Sequence, residues 1–99
     1  MSDIDTKPLA VERTKQPPLY KVILLNDDYT PRDFVVVVLK AVFRMTEEQS
    51  YRVMMTAHQR GACVVATYTR DIAESKASEA NDMARGAGHP LEFSTEPDE

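Results

Sequence analysis

Tryptophan is absent from these 99 residues, cysteine occurs once and glycine three times, and no apolar run approaches the length of a membrane span. Each shortage removes a class of protein. The single Cys63 closes no internal disulfide. It sits in Ala62-Cys63-Val64-Val65-Ala66, where it reads as a small hydrophobe. With one Cys and two His, no pair has zinc-site spacing. No glycine loop is present to cradle a phosphate, and no Ser or Cys is paired with a base for nucleophilic catalysis. Positive charge is also short. Twelve Lys and Arg stand against sixteen Asp and Glu, a net −4 without a basic cluster, which disfavours nucleic acid. The N-terminus has no basic-then-apolar leader pattern, so a soluble cytoplasmic protein with no membrane association is expected. The length suits one domain with a modest core and leaves little room for an enclosed active site.

Residues 1–18 mix charge with three prolines and few large apolar side chains, and are expected to form a disordered extension. Leu19 to Leu25 reads as a strand rich in Val, Ile and Leu. Phe34, Val35, Val38, Leu39, Val42 and Phe43 recur at helical spacing, which predicts a helix from Pro31 to about Arg44 despite its β-branched run. Thr46-Glu47-Glu48-Gln49 is a capping box for a second helix, with Tyr51, Met54, Met55 and Ala57/His58 on its apolar face and Gly61 as a left-handed cap. Ala62 to Tyr68 is a second strand. Thr69 caps a third helix carrying Ile72, Ala73, Ala77, Ala80 and Met83/Ala84, stopped by Gly86 and Gly88. A short strand, Leu91 to Thr95, precedes a polar tail, 96–99. The order β-α-α-β-α-β predicts an α+β fold, three helices on a three-stranded antiparallel sheet, within 19–95.

One corner of this outline carries more polar groups than a turn requires. Asn26-Asp27-Asp28-Tyr29-Thr30-Pro31 follows the first strand. Thr30 is placed to cap the next helix, with Pro31 at its first position and Asp33 three residues on. Asn26, Asp27 and Asp28 are then surplus oxygen acceptors. Such a cluster suits a ligand that donates hydrogen bonds and carries positive charge, an amine or a metal ion. A solvated Asx-type turn is the plainer alternative. His58 stands three residues before Gly61, where a histidine also favours the helix C-terminal dipole.

The corner, together with Phe34-Val35, Ala57-His58 and Gly61, Tyr68-Thr69, Ala73-Glu74-Ser75-Lys76 and His89-Pro90-Leu91, resembles the ClpS family in order and spacing over about residues 19–95. ClpS proteins are bacterial N-end rule adaptors that deliver substrates to the ClpA–ClpP unfoldase-protease. The resemblance implies a non-enzymatic adaptor without catalytic residues, cofactor or metal. It implies binding of a free N-terminus whose first residue is Leu, Phe, Tyr or Trp. By position, Asn26 and Asp28 receive the α-ammonium, His58 completes the ring, and Asp27 contributes mainly through its backbone. Thr30, Arg32, Val36, Met54, Ala57 and Leu91 form the side-chain pocket. Leu39 is a candidate wall that reads better as core. Asp71, Glu74 and Lys76 are the expected docking positions for the N-terminal domain of ClpA, and the extension is the part an unfoldase engages. A monomer is expected.

The sequence departs from the family pattern at the pocket. Met usually follows the Thr-Pro, where this chain has Arg32. Ile is common at Val36, and Val at Ala57. Smaller walls loosen a pocket, and Arg32 repels a nearby ammonium, so weaker or shifted selectivity is expected, with better tolerance of Trp or Ile. A diverged paralogue that docks on ClpA as a modulator is the alternative. A metal-dependent hydrolase built on Asp27, Asp28 and His58 has too few ligands and no nucleophile.

Overall fold

The computed structural model describes residues 17–99, so most of the N-terminal extension, 1–16, lies outside the described residues. The elements are β1 (Leu19–Leu25), α1 (Arg32–Phe43), α2 (Glu47–Arg60), β2 (Ala62–Thr69), α3 (Arg70–Gly86) and β3 (Glu92–Pro97). The sheet order is β2-β1-β3, antiparallel throughout, and three helices pack on it. The expected fold is therefore present.

Strand β1 is central and anchors the core. Period-two alternation sends Val22 and Leu24 inward, where both are almost fully buried. Between Val22 and Ile23 the pairing with β2 shifts by one residue, from Ala66 to Val64. In α1 the 3.6-residue period buries Val35, Val38, Leu39 and Val42 and leaves Val37 exposed. Packing of this stripe overrides the β-propensity of four consecutive valines. Ala73, Ala77, Ala80 and Ala84 form a buried stripe on α3, and their small side chains let the helix approach the sheet closely. Asn81, on the same helix, exchanges two hydrogen bonds with the backbone of Phe93 at 2.8 and 3.0 Å, which covers part of the β3 edge.

Several local expectations are corrected. The Thr30–Asp33 capping box does not form: Pro31 is the N-cap, α1 begins at Arg32, and no side chain caps it. Thr69 likewise caps α3 without a side-chain hydrogen bond. The Thr46–Gln49 box and the left-handed Gly61 (φ +92) are present as expected. Tyr51 and Ile72, expected on apolar helix faces, are about half exposed. Strand β3 starts at Glu92 and runs to Pro97, two residues into the stretch expected to be a tail, because Glu96 and Pro97 still pair with Lys21 and Tyr20. The Asp98 N–H then donates to the Leu19 carbonyl at 2.9 Å. Among the described residues, no helix is long and apolar enough to cross a membrane.

Candidate functional site

The corner after β1 meets the end of α2 through one backbone hydrogen bond. The Asn26 N–H donates to the Gly61 carbonyl at 3.0 Å. Gly61 makes this contact while closing α2 in a left-handed conformation that a Cβ would strain. One turn back along α2 stands His58. Residues distant in sequence thus come to one cavity, whose lining includes Asn26, Asp27, Asp28, Thr30, Arg32 and His58.

The cavity has an apolar floor and a polar rim. Leu24, Val35, Met54, Ala57 and Leu91 are buried and supply the floor. Asn26, Asp28, Arg32 and His58 are exposed at the rim, with Asp27 and Thr30 half-buried between the two. The volume is about 160 Å³. An apolar protein cavity of ~150 Å³ holds a benzene ring. The space therefore suits one large side chain and no more.

The three acidic-corner residues have different jobs. Asp27 organises the turn. Its carboxylate accepts from the Tyr29 and Thr30 N–H groups, both at 2.8 Å, and from the Thr30 hydroxyl at 2.8 and 3.0 Å. Partial burial alone would raise this carboxyl. The hydrogen bonds from Thr30 and Tyr29, with the nearby His89 charge, outweigh it and hold the group below its ordinary value. Thr30 spends its hydroxyl on Asp27, which is why the expected capping box is missing. Among the described residues, the side chains of Asn26 and Asp28 make no hydrogen bond or salt bridge, so their oxygens remain available at the rim.

His58 does have a partner. An Arg32 guanidinium nitrogen lies 2.8 Å from His58 Nε2. Arginine can only donate, so Nε2 is the acceptor and the imidazole is neutral, with its proton on Nδ1. Arg32 is thus held across the rim by the histidine opposite.

The structure also corrects one wall of the pocket. Val36 does not line the cavity; its neighbour Val35 does. Val35 is four residues before Leu39 on the buried stripe of α1, whereas Val36 is turned about 100° away. Helical periodicity would have identified it. Leu39 is fully buried in the core and is not part of the lining. Leu24 and Leu25 also line the cavity, unanticipated because their strand was read only as framework. His89 is a further omission. Its ring stacks at a tilt on Phe34, centroids 4.6 Å apart, and braces the corner from the side of β3.

Of the three expected docking positions on α3, Asp71 and Glu74 are exposed, and Glu74 is paired with Arg70 at 3.1 Å. Lys76 is different. It is half-buried, and its ammonium donates to the Val42 carbonyl at 2.9 Å. That carbonyl belongs to the last turn of α1, where no helical donor remains for it. Lys76 therefore ties α3 to the end of α1 and complements the negative end of that helix.

The chain is thus a small α+β domain with a one-side-chain cavity and an acceptor-bearing rim. The family described as ATP-dependent Clp protease adaptor protein ClpS matches residues 15–94. The chain is 60% identical to ATP-dependent Clp protease adapter protein ClpS 1 of Bradyrhizobium diazoefficiens over the full length of both. It is also 60% identical to ClpS 2 of Agrobacterium fabrum, over 98% of this chain and 94% of that one. The structure of Agrobacterium tumefaciens ClpS2 bound to L-phenylalaninamide superimposes with a TM-score of 0.83 at 65% identity, covering 84% of this chain and all of that one. This chain belongs to the ClpS family, adaptors of the Clp protease.

Proposed function

We propose that this adaptor binds proteins through a free, bulky hydrophobic N-terminal residue (Leu, Phe, Tyr or Trp) and delivers them to the ClpA unfoldase for degradation by ClpP. The observation that carries this reading is the pairing of an apolar, one-side-chain floor with uncommitted acceptors at its rim. An α-ammonium has three donors and a pKa of about 8, so at neutral pH it needs several acceptors and net negative charge. Asn26 and Asp28 supply them, with His58 completing the ring and Asp27 holding the turn in shape.

Burying a large first side chain against Leu24, Val35, Met54, Ala57 and Leu91 contributes about 1.5–3 kcal/mol, which offsets desolvation of the ammonium. Acetylation removes the charge and adds bulk, so a blocked N-terminus is excluded. Support also comes from the relative solved with L-phenylalaninamide. That ligand has a free amine, a phenyl ring and a capped carboxylate, the groups of a protein beginning with Phe.

The adaptor makes and breaks no bond. Docking on the N-terminal domain of ClpA is assigned to the exposed Asp71–Glu74 face of α3, which Lys76 holds against α1. The test is fluorescence anisotropy with peptides differing only at residue one: Leu, Phe, Tyr, Trp, Ile, Met and acetylated Phe. Binding of bulky termini, lost on acetylation, supports the reading. No binding by any peptide overturns it and favours the ClpA-docking modulator, for which the Arg32–His58 contact is the one structural motive.

A further inference from the structure

Arg32 is held in an unusual way for a surface arginine. Its guanidinium stands at a rim that also carries Asp27 and Asp28, yet among the described residues it forms no salt bridge with any carboxylate. Its partner is the neutral His58, at 2.8 Å. Two consequences follow from the chemistry of the donors. First, Arg32 occupies Nε2, and the remaining ring nitrogen, Nδ1, carries the proton and cannot accept. A substrate ammonium that uses His58 as an acceptor must displace Arg32 from it. Second, displacement leaves a permanent cation without a partner at the mouth.

The cavity takes one side chain, about 160 Å³. Residue two of a bound chain is therefore outside it, and an extended chain advances only ~3.3 Å per residue. Residues two and three must pass the rim, which carries Arg32 together with Asn26, Asp28 and His58. We propose that Arg32 makes this adaptor read the residues behind the N-terminal one, favouring Asp or Glu at position two or three. An acidic side chain there receives the guanidinium that the ammonium displaces, in a charge-assisted and geometrically matched contact. Without such an acid, the ammonium takes over His58 but the displaced guanidinium gains no partner in return. Arg32 thus acts as an intramolecular competitor of the ammonium and as a filter on the next residues.

This inference rests on the amine-recognition reading, and one set of measurements separates the two. Anisotropy is measured for peptides beginning Phe-Ala-Ala, Phe-Glu-Ala, Phe-Ala-Glu and Phe-Lys-Ala, against the natural chain, Arg32→Met and Arg32→Gln. Arg32 is exposed in the first turn of α1, so neither variant disturbs the core. With the natural chain, the better of the two Glu peptides is expected to bind at least fivefold tighter than Phe-Ala-Ala, and Phe-Lys-Ala weaker. In both variants the Glu advantage is expected to vanish or reverse, because the remaining rim is acidic, while Phe-Ala-Ala gains affinity from the freed His58. A Glu-to-Ala ratio that is the same in all three proteins overturns the role of Arg32 while leaving N-terminal recognition standing. Failure of Phe-Ala-Ala to bind any of the three overturns both.

Discussion

Two strands of this protein run into helices, and the two junctions are built differently. Between β1 and α1 six residues intervene, 26–31; between β2 and α3 none do, since Thr69 ends the strand and Arg70 opens the helix. Both junctions carry a Thr just before a helix and acidic groups nearby. The longer one folds back until Asn26 touches Gly61, and its side chains surround a cavity. The direct one leaves Asp71 and Glu74 exposed to solvent. Similar residue types thus face a ligand-sized hollow in one place and open solvent in the other. Length of connection, with one backbone hydrogen bond to close it, makes the difference between a pocket and an exposed helix face.

The most disruptive way to break the contrast is to remove the group that shapes the longer junction. Asp27→Ala strands two N–H groups and the Thr30 hydroxyl, and is expected to cost about 1–2 kcal/mol in urea unfolding and to weaken peptide binding as the rim loses its shape. Acid should imitate it. The Asp27 carboxyl is held below its ordinary value of 3.8, so the stability it contributes is present above that value and fades as pH falls below it. Equal urea midpoints at pH 7 for both proteins would show that the turn holds without the carboxylate.

Next in size is a pair of matched substitutions that sharpens the contrast. Asp28→Ala is expected to lower affinity for a Phe-initiated peptide at least tenfold, about 1.4 kcal/mol, with thermal unfolding unchanged. Asp71→Ala at the other junction is expected to leave that affinity alone and to weaken capture by the ClpA N-terminal domain. A loss of peptide affinity in Asp71→Ala would merge the two surfaces into one.

Lys76→Met probes the tie between them. Losing the bond to the Val42 carbonyl is expected to cost about 1 kcal/mol of stability, together with some ClpA affinity. Loss of ClpA affinity at unchanged stability would make Lys76 a contact residue instead of a brace. The smallest effect is a gain. Arg44 ends α1 in the left-handed region at φ +58, so Arg44→Gly is expected to raise stability by about 0.5–1 kcal/mol, read as a shift in urea midpoint.

The sequence was most legible where a residue's role is local. The Thr46–Gln49 box and Gly61 depend on backbone groups within four positions, and both appear as expected. The apolar period of α1 likewise predicted its helix. The misreadings arose where one residue had two local options. Thr30 was free to cap a helix or to bond Asp27, and a turn in which its N–H and hydroxyl both reach one carboxylate favoured Asp27. Val35 and Val36 are chemically alike, so only the direction set by the helical stripe assigns one to the pocket and the other to its flank.

By itself the chain determined its element order, both ends of α2 and the presence of surplus acceptors after β1, because each follows from propensities and hydrogen bonds that span a few residues. Tertiary structure alone decided that Asn26 would meet Gly61, that Lys76 would reach the end of α1, and that Arg32 would lie against His58. Those contacts join residues 26 to 35 positions apart in the chain. No local preference encodes such distances; they are set when the apolar stripes of the helices and the inward face of β1 close on a common core.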